Sequence, residues 1–373
     1  MLSRQLCHYN MSLSLHSRLI SLATSRAEGR DGYVDIQKLL IMLAGVLAEG
    51  LMDYEDPFAE LTNFDRKLRR SSAPLSHPDE TARHGRVDDW APVVSILDLD
   101  RYLELGRSLA RLYVDDSEES SCILKNAIAH LLETSLSMWA DDEITGTLQH
   151  AFFIKSVHYA LSFEIVAHSF CDRIIDLKIS QEKWSLGDCI MAMSGLSGRY
   201  YAFAALKEED EMDEEQAAAS ALFAQGGASP AHSAYQAARP DDDDDDLGMA
   251  YGFFGGGSKP FSSAHSILRI MVGEAVRMGV PEGAGVFSGL AANDTEHRTC
   301  PHLIYSLEPS FAVLAERHGL HDYAVKAVAV SKAAGRMIAV ASSGKEPEME
   351  HIVARPIALS SFIGSFRHFS PKE

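Results

Sequence analysis

The residues of this chain that could do chemistry are a few glycine-flanked hydroxyls, histidines near a cysteine, paired carboxylates and dispersed cations. Gly252 to Gly257 has the spacing of a phosphate-cradling loop, which needs a lysine directly after the second glycine and then a hydroxyl for magnesium. Here Ser258 and Lys259 stand in reversed order and Pro260 follows, so the segment reads as a flexible joint. Gly195-Leu196-Ser197-Gly198 lacks the fifth residue of a nucleophile elbow and lies in a helical pattern, not after a strand. It reads as close helix packing. His297, Cys300 and His302, followed by His318 and His321, offer no two ligand pairs at zinc spacing. His150, His158 and His168 fall on mainly apolar helical surface and read as core histidines. No catalytic residue, metal site or cofactor is assigned.

The cations suggest different chemistry. The formal net charge is −19. Residues 208–250 hold thirteen acids (Glu208, Glu209, Asp210, Glu211, Asp213, Glu214, Glu215 and Asp241 to Asp246) against one base, Arg239. That tract carries −12, which leaves −7 for the remainder. A local basic groove is therefore compatible with the composition. Lys155, with His158 and Tyr159, then Arg173, Lys178, Lys183, Arg199, Tyr200 and Tyr201 precede the tract; Lys259, Arg269, Arg277, Arg317, Lys326, Lys332 and Arg336 follow it. A sequence-independent binder of single strands needs cations to neutralise phosphates and flat side chains to stack on bases. These residues supply both.

Helical periodicity dominates the elements that would position them. Ile123, Leu124, Ala127, Ile128, Leu131, Leu132 and Leu136 mark one buried helix face, with Ser120 or Ser121 as its cap. Residues 35–51 and 98–114 read as helices, and 147–177, apolar nearly all round, as a central core helix with a possible break. Ser185 to Asp188 resembles a capping box opening a helix to about Leu206. The acidic, Ala/Gly/Ser-rich stretch 206–250 reads as a mobile loop between lobes. Helices resume at Ser262–Met278, stopped by Gly279, then from Pro309 to Gly319, and from about Asp322 to Ser342. The tail, with Phe362, Phe366 and Phe369, docks either on another subunit or back on its own lobe. The longest apolar run, Leu39 to Ala48, is too short to span a bilayer, and the first residues lack a signal-peptide pattern. The five scattered cysteines predict reduced thiols. The fold class expected is all-α with minor β. Its parts are an arm 1–32, a lobe 33–205, the loop 206–250, a lobe 251–345 and an arm 346–373.

Two family resemblances attach to particular residues. Asp115-Asp116-Ser117-Glu118-Glu119 is similar to the aspartate-rich motif of class I terpene synthases, which bind magnesium and diphosphate. The second metal motif departs after Asn293-Asp294, and Arg199-Tyr200 lies far upstream of the terminal Arg-Tyr position. The segment LRIMVGEAVRMG, a loop and CPHLIYSLEPSFAVLAERHGL resembles nucleoproteins of non-segmented negative-strand RNA viruses, including compact members that infect fungi. The matching positions are Met278-Gly279 and Pro301, Leu303, Tyr305 and Ser306; GDCIMAMSGLSGRYYAFAALK loosely resembles the helix before the family's interlobe boundary. That resemblance implies two helical lobes clamping single-stranded RNA and terminal arms exchanged in a homo-oligomer. It also implies partners such as a viral polymerase or phosphoprotein, no membrane, and a virion nucleocapsid or host-cytoplasm location. The remaining alternative is a helical coat or scaffold protein that assembles without gripping RNA.

Overall fold

Ten consecutive apolar or small residues, Leu39 to Ala48, cannot all face water, and they form the middle of a helix buried on every side. The computed structural model describes residues 36–71, 96–112, 121–129, 132, 143–181, 184–223, 259–281, 301–343 and 347–369, with a few positions between 10 and 21. The fold is all-α, with no strand among the described residues. No helix among them is long and apolar enough to cross a membrane. The chain divides into two compact units, Met1–Ile165 and Val166–Glu373.

In unit 1, α1 (Ile36–Leu51) packs along α3 (Ile96–Ala110). Glycine sets their separation. A Cβ on Gly45 would lie 2.2 Å from the Leu103 carbonyl oxygen, and one on Gly106 2.0 Å from that of Met42. Between them in the chain stands α2 (Pro57–Ser71), a helix not among those expected from the sequence. Its Asp56 cap accepts from the Phe58 and Ala59 amides at 3.1 and 3.0 Å, and Pro57 stands at the first helical position. Leu61, Phe64 and Leu68 form its buried face. The helical stretch 121–129 buries Leu124, Ala127 and Ile128 of the predicted face, and Leu132 beyond it is buried too; Ile123 is half-buried, and Leu131 and Leu136 lie outside the described residues. The core helix α4 (Glu143–Gln181) is a single unbroken helix of 39 residues. Its first part contributes Phe152, Phe153, Leu161 and Phe163 to unit 1. Arg107 of α3 joins three helices there, pairing with Glu164 of α4 at 2.5 Å, Glu104 at 3.5 Å and Glu49 of α1 at 3.6 Å.

Unit 2 is built around α5 (Leu186–Phe223). The predicted capping box opens it: the Ser185 hydroxyl accepts from the Asp188 amide at 3.1 Å, and the Asp188 carboxylate accepts from the Ser185 amide at 2.9 Å. The helix continues through residues 206–223, so the first part of the expected acidic loop is helical; residues 224–250 lie outside those described. Helices α6 (Lys259–Arg277) and α7 (Pro301–Arg317) end alike. Gly279 and Gly319 take φ of 95° and 74°, and the next amides, of Val280 and Leu320, reach back to the Ala275 and Ala315 carbonyls at 3.0 and 2.9 Å. These are Schellman closures, with buried Val280 and Leu320 packing under the turn. Pro309 sits inside α7 and does not start it.

Asp322 caps α8 (Tyr323–Ser342), which is buried almost along its length. The tail forms α9 (His351–Phe369) and packs along α5 in its own unit. A Cβ on Gly198 would lie 2.3 Å from the Phe362 carbonyl oxygen. Phe362 and Phe366 are buried and pack on Tyr201, with ring centroids at 6.3 and 5.5 Å. The tail thus takes the second of its two expected courses, and these phenylalanines face the core of their own unit. The side chain of Phe369 lies outside the described residues, as does most of the segment 1–32. The boundary between the two units falls between Ile165 and Val166, within α4.

Candidate nucleic-acid interface

An arginine between two aromatic rings forms the centre of a surface cluster on unit 2. The Arg199 guanidinium lies 4.9 Å from the Phe203 ring centroid, one turn along α5, and 4.7 Å from that of Tyr305 on α7. Its Nε donates to Glu308 at 3.1 Å, which fixes the plane of the fork. Tyr323, at the start of α8, packs on Phe203 at 5.5 Å and on Tyr200 at 6.1 Å, and Lys326 Nζ lies 5.9 Å from the Tyr323 ring. Lys326 also pairs with Glu316 at 3.6 Å. Below them, Tyr200 packs on Phe311, and Phe311 on Phe170, with centroids at 5.6 and 4.9 Å. The aromatic column therefore runs from the core to two exposed rings, Tyr305 at 50% and Tyr323 at 40% exposure. A surface tyrosine held by a ring–cation stack is a preformed face for another flat group. Both of its cations are matched by a carboxylate, so the platform supplies stacking, not net charge.

The cations named from sequence separate into three groups. Arg199 and Lys326 meet at the platform, and Tyr200 lies beneath it. Tyr200 is buried, and burial pushes its phenol well above the usual tyrosine range, so it supports the stack from below and cannot itself take a base there. Arg277, Lys332 and Arg336 are drawn inward. Glu274, itself buried, accepts from Arg336 Nε at 2.7 Å and from Arg277 Nε at 2.8 Å, and Lys332 is 2% exposed. Lys178 pairs with Glu348. The i, i+4 face shared by Lys332 and Arg336 is thus a core face, because α8 is enclosed by α5, α6 and α9. Arg173, Arg269 and Arg317 are exposed and Lys155 is half-buried. The side chains of Lys183 and Lys259 lie outside the described residues.

The tests for catalysis resolve where residues are described. Gly195 is a packing position, where a Cβ would lie 2.7 Å from Ile304 Cδ1. Ser197 donates to the Ala327 carbonyl at 3.0 Å and meets Ser331 Oγ at 2.7 Å, so its hydroxyl is engaged in the core. Cys171 and Cys189 are buried, and burial raises their thiols to about 12 and about 11, far from reactive thiolates. His150 is buried beside Asp65 at 3.1 Å, as a core histidine should be. His168 is not one: it is exposed and pairs with Asp172 at 3.3 Å, because this turn of α4 faces water. No metal-binding group of His, Cys, Asp and Glu occurs among the described residues. Residues 115–119, 252–257 and 293–298 lie outside them.

One basic group was missed. Arg66-Lys67-Leu68-Arg69-Arg70 at the end of α2 is the densest run of cations in the chain. Its signal was present in the sequence: Leu61, Phe64 and Leu68 at i, i+3 and i+7, with Arg66 and Lys67 between them and Arg69 and Arg70 just beyond. Comparison with family models, with curated proteins and with solved structures finds no match to the chain.

Proposed function

We propose that this chain is a non-catalytic, nucleoprotein-like binder of single-stranded RNA that coats its ligand with little sequence preference and assembles with further copies along it. The observation that carries the reading is the platform on unit 2, where Tyr305 and Tyr323 stand exposed on a column of rings braced by Arg199 and Lys326. Every base has a π-face, so stacking on such rings tolerates any sequence. The resemblance of the α6–α7 segment, from Leu268 to Leu320, to viral nucleoproteins points the same way. In this reading Tyr305 and Tyr323 take bases, Arg199 holds the Tyr305 ring in place, and cations elsewhere neutralise phosphates.

The test is polarisation of a labelled oligonucleotide across a salt series, with uridine, adenine and mixed sequences. Wild type binds all three with similar affinity, and affinity falls as salt rises. Tyr305→Ala and Tyr323→Ala each weaken binding by roughly 1–3 kcal/mol, about 5- to 150-fold, the usual worth of one stacked base. Wild-type protein that binds no oligonucleotide at low salt and releases diphosphate with magnesium overturns the reading in favour of the terpene synthase-like enzyme.

A further inference from the structure

The platform leaves one requirement unmet, since its two cations are already matched by Glu308 and Glu316 and a phosphodiester chain still needs neutralising charge. We propose that the last two turns of α2 in unit 1 form a second, phosphate-binding surface for the same class of ligand, with Arg66, Lys67 and Arg69 as its contacts. This inference rests on the RNA reading and adds residues and a unit that the reading did not include.

The residues are built for the task. Leu61, Phe64 and Leu68 anchor the helix in the core, so the positions on its opposite face must meet water, and Arg66, Lys67 and Arg69 are exposed there. Neither Arg66 nor Lys67 has a carboxylate partner among the described residues; Lys67 Nζ only approaches Asn126 Oδ1 at 3.4 Å. Arg69 Nε meets both oxygens of Asp65 at 3.0 Å, which leaves the outer edge of its fork for another acceptor. A helix C-terminus stabilises a cation or two through its dipole, and that alone accounts for part of the run. It does not call for four cations in five residues within a chain of net charge −19. Two of the three contacts are arginines, whose planar forks match phosphate oxygens in pairs.

The ligand class follows from what surrounds the run. Beside the cations the apolar side chains of Phe64 and Leu68 are buried, so nothing there could enter a lipid tail region, which disfavours an anionic bilayer. The acidic residues 208–215 of another copy would satisfy the charge but would leave the exposed rings of unit 2 without a role. A single-stranded polyphosphate matches the run by itself, because its closely spaced anionic oxygens meet arginine forks in pairs and its backbone needs no apolar contact.

The experiment compares wild type with Arg66→Gln/Lys67→Gln/Arg69→Gln in the salt series, with uridine oligonucleotide as the probe and far-ultraviolet circular dichroism melting as a folding control. Each lost phosphate contact on a single strand lowers the slope of log affinity against log salt by about 0.7, so the triple variant loses about 2 of its slope. Arg66→Lys/Arg69→Lys keeps the slope and serves as the rescue. A triple variant with the slope and affinity of wild type overturns the proposal and leaves the RNA reading standing. Wild type that binds no oligonucleotide overturns both. Two further results assign the surface to another partner and also overturn the proposal: loss of flotation with phosphatidylserine vesicles, or loss of concentration-dependent self-association, each with the RNA slope unchanged.

Discussion

In unit 1 a buried arginine is surrounded by three carboxylates, whereas in unit 2 a buried carboxylate is gripped by two arginines. Arg107 lies 2% exposed among Glu164, Glu104 and Glu49, and Arg111 adds a second cation at the rim, 2.8 Å from Glu49. Glu274 is held by Arg336 and Arg277. The two hubs do the same structural work, since each ties helices together through a buried ion pair. They fail differently. Removing Arg107 leaves Glu164, only 5% exposed, as a buried carboxylate with like charges beside it. Removing Glu274 leaves two guanidiniums, of which Arg277 is 22% exposed and can turn to water. A hub's importance is set by how well its orphaned partners can be rehydrated, not by how many pairs it makes.

That comparison is sharpest when both hubs are broken without changing volume. Arg107→Met should destabilise unit 1 by about 3–5 kcal/mol, the usual cost of orphaning a buried ion. Glu274→Gln should cost unit 2 about 1–3 kcal/mol, because the amide oxygen still accepts from one arginine. Urea unfolding followed by hydrogen exchange assigns each loss to its unit. Equal losses in the two variants would break the comparison.

A second contrast concerns backbone approach. Helices α1 and α3 in unit 1, and α5 and α9 in unit 2, all touch carbonyl to glycine, at 2.0 Å for a Cβ on Gly106 and 2.3 Å for one on Gly198. Gly273 on α6 has nothing within 4 Å of its Cβ position. Alanine is the better helix former by up to about 1 kcal/mol. Forcing two backbones apart costs about 1–3 kcal/mol. Gly106→Ala and Gly198→Ala should therefore lower stability by a net 1–2 kcal/mol or so, the first more than the second, while Gly273→Ala raises it by about 0.5–1 kcal/mol. Thermal melts of the three variants give the order, and a stabilised Gly106→Ala would show that the α1–α3 contact adjusts freely.

The sequence made the helices legible where local chemistry marks their ends. Ser185 and Asp188, Asp322, Gly279 and Gly319 each act within a few residues of the backbone they close, so spacing alone identifies them. The expected end at Leu206 failed because no stop residue stands there; α5 runs on into KEEDEMDEE, whose residue types form helix well despite their repulsion. For the site, Arg199 and Lys326 were legible as cations, but the platform joins Arg199 and Phe203 to Tyr305 and Tyr323, residues more than a hundred positions away. No local pattern encodes that. Lys332 and Arg336 misled for the same reason: an i, i+4 pair of cations reads as a solvated face, and only the helices enclosing α8 turn it inward. The cations of α2 needed no tertiary information, since the cap at Asp56 and the spacing of Leu61, Phe64 and Leu68 already divide that helix into two faces.

The smallest effect separates the units by pH. In unit 1, α2 is capped by its own neighbour, Asp56, whereas in unit 2 the start of α5 is capped both by Ser185 and by Glu348, 162 residues away from Leu186. The Leu186 amide donates to Glu348 Oε1 at 2.8 Å, and this bond, with that from Lys178, holds the Glu348 carboxyl below the usual glutamate range. A carboxyl lowered on folding stabilises the fold above its unfolded value, near 4.5, and the contribution fades as pH falls through that value towards the folded one. The side chain is 43% exposed, so the contribution is well under about 1 kcal/mol. Glu348→Gln should therefore lower the stability of unit 2 slightly at pH 7, and the difference should shrink as pH falls below about 4.5. Hydrogen exchange of α5 amides in the two proteins between pH 3 and 7 measures the difference, with α2 amides as the internal control. A difference that does not shrink on acidification would mean that Glu348 acts by packing on α5 and not through its charge.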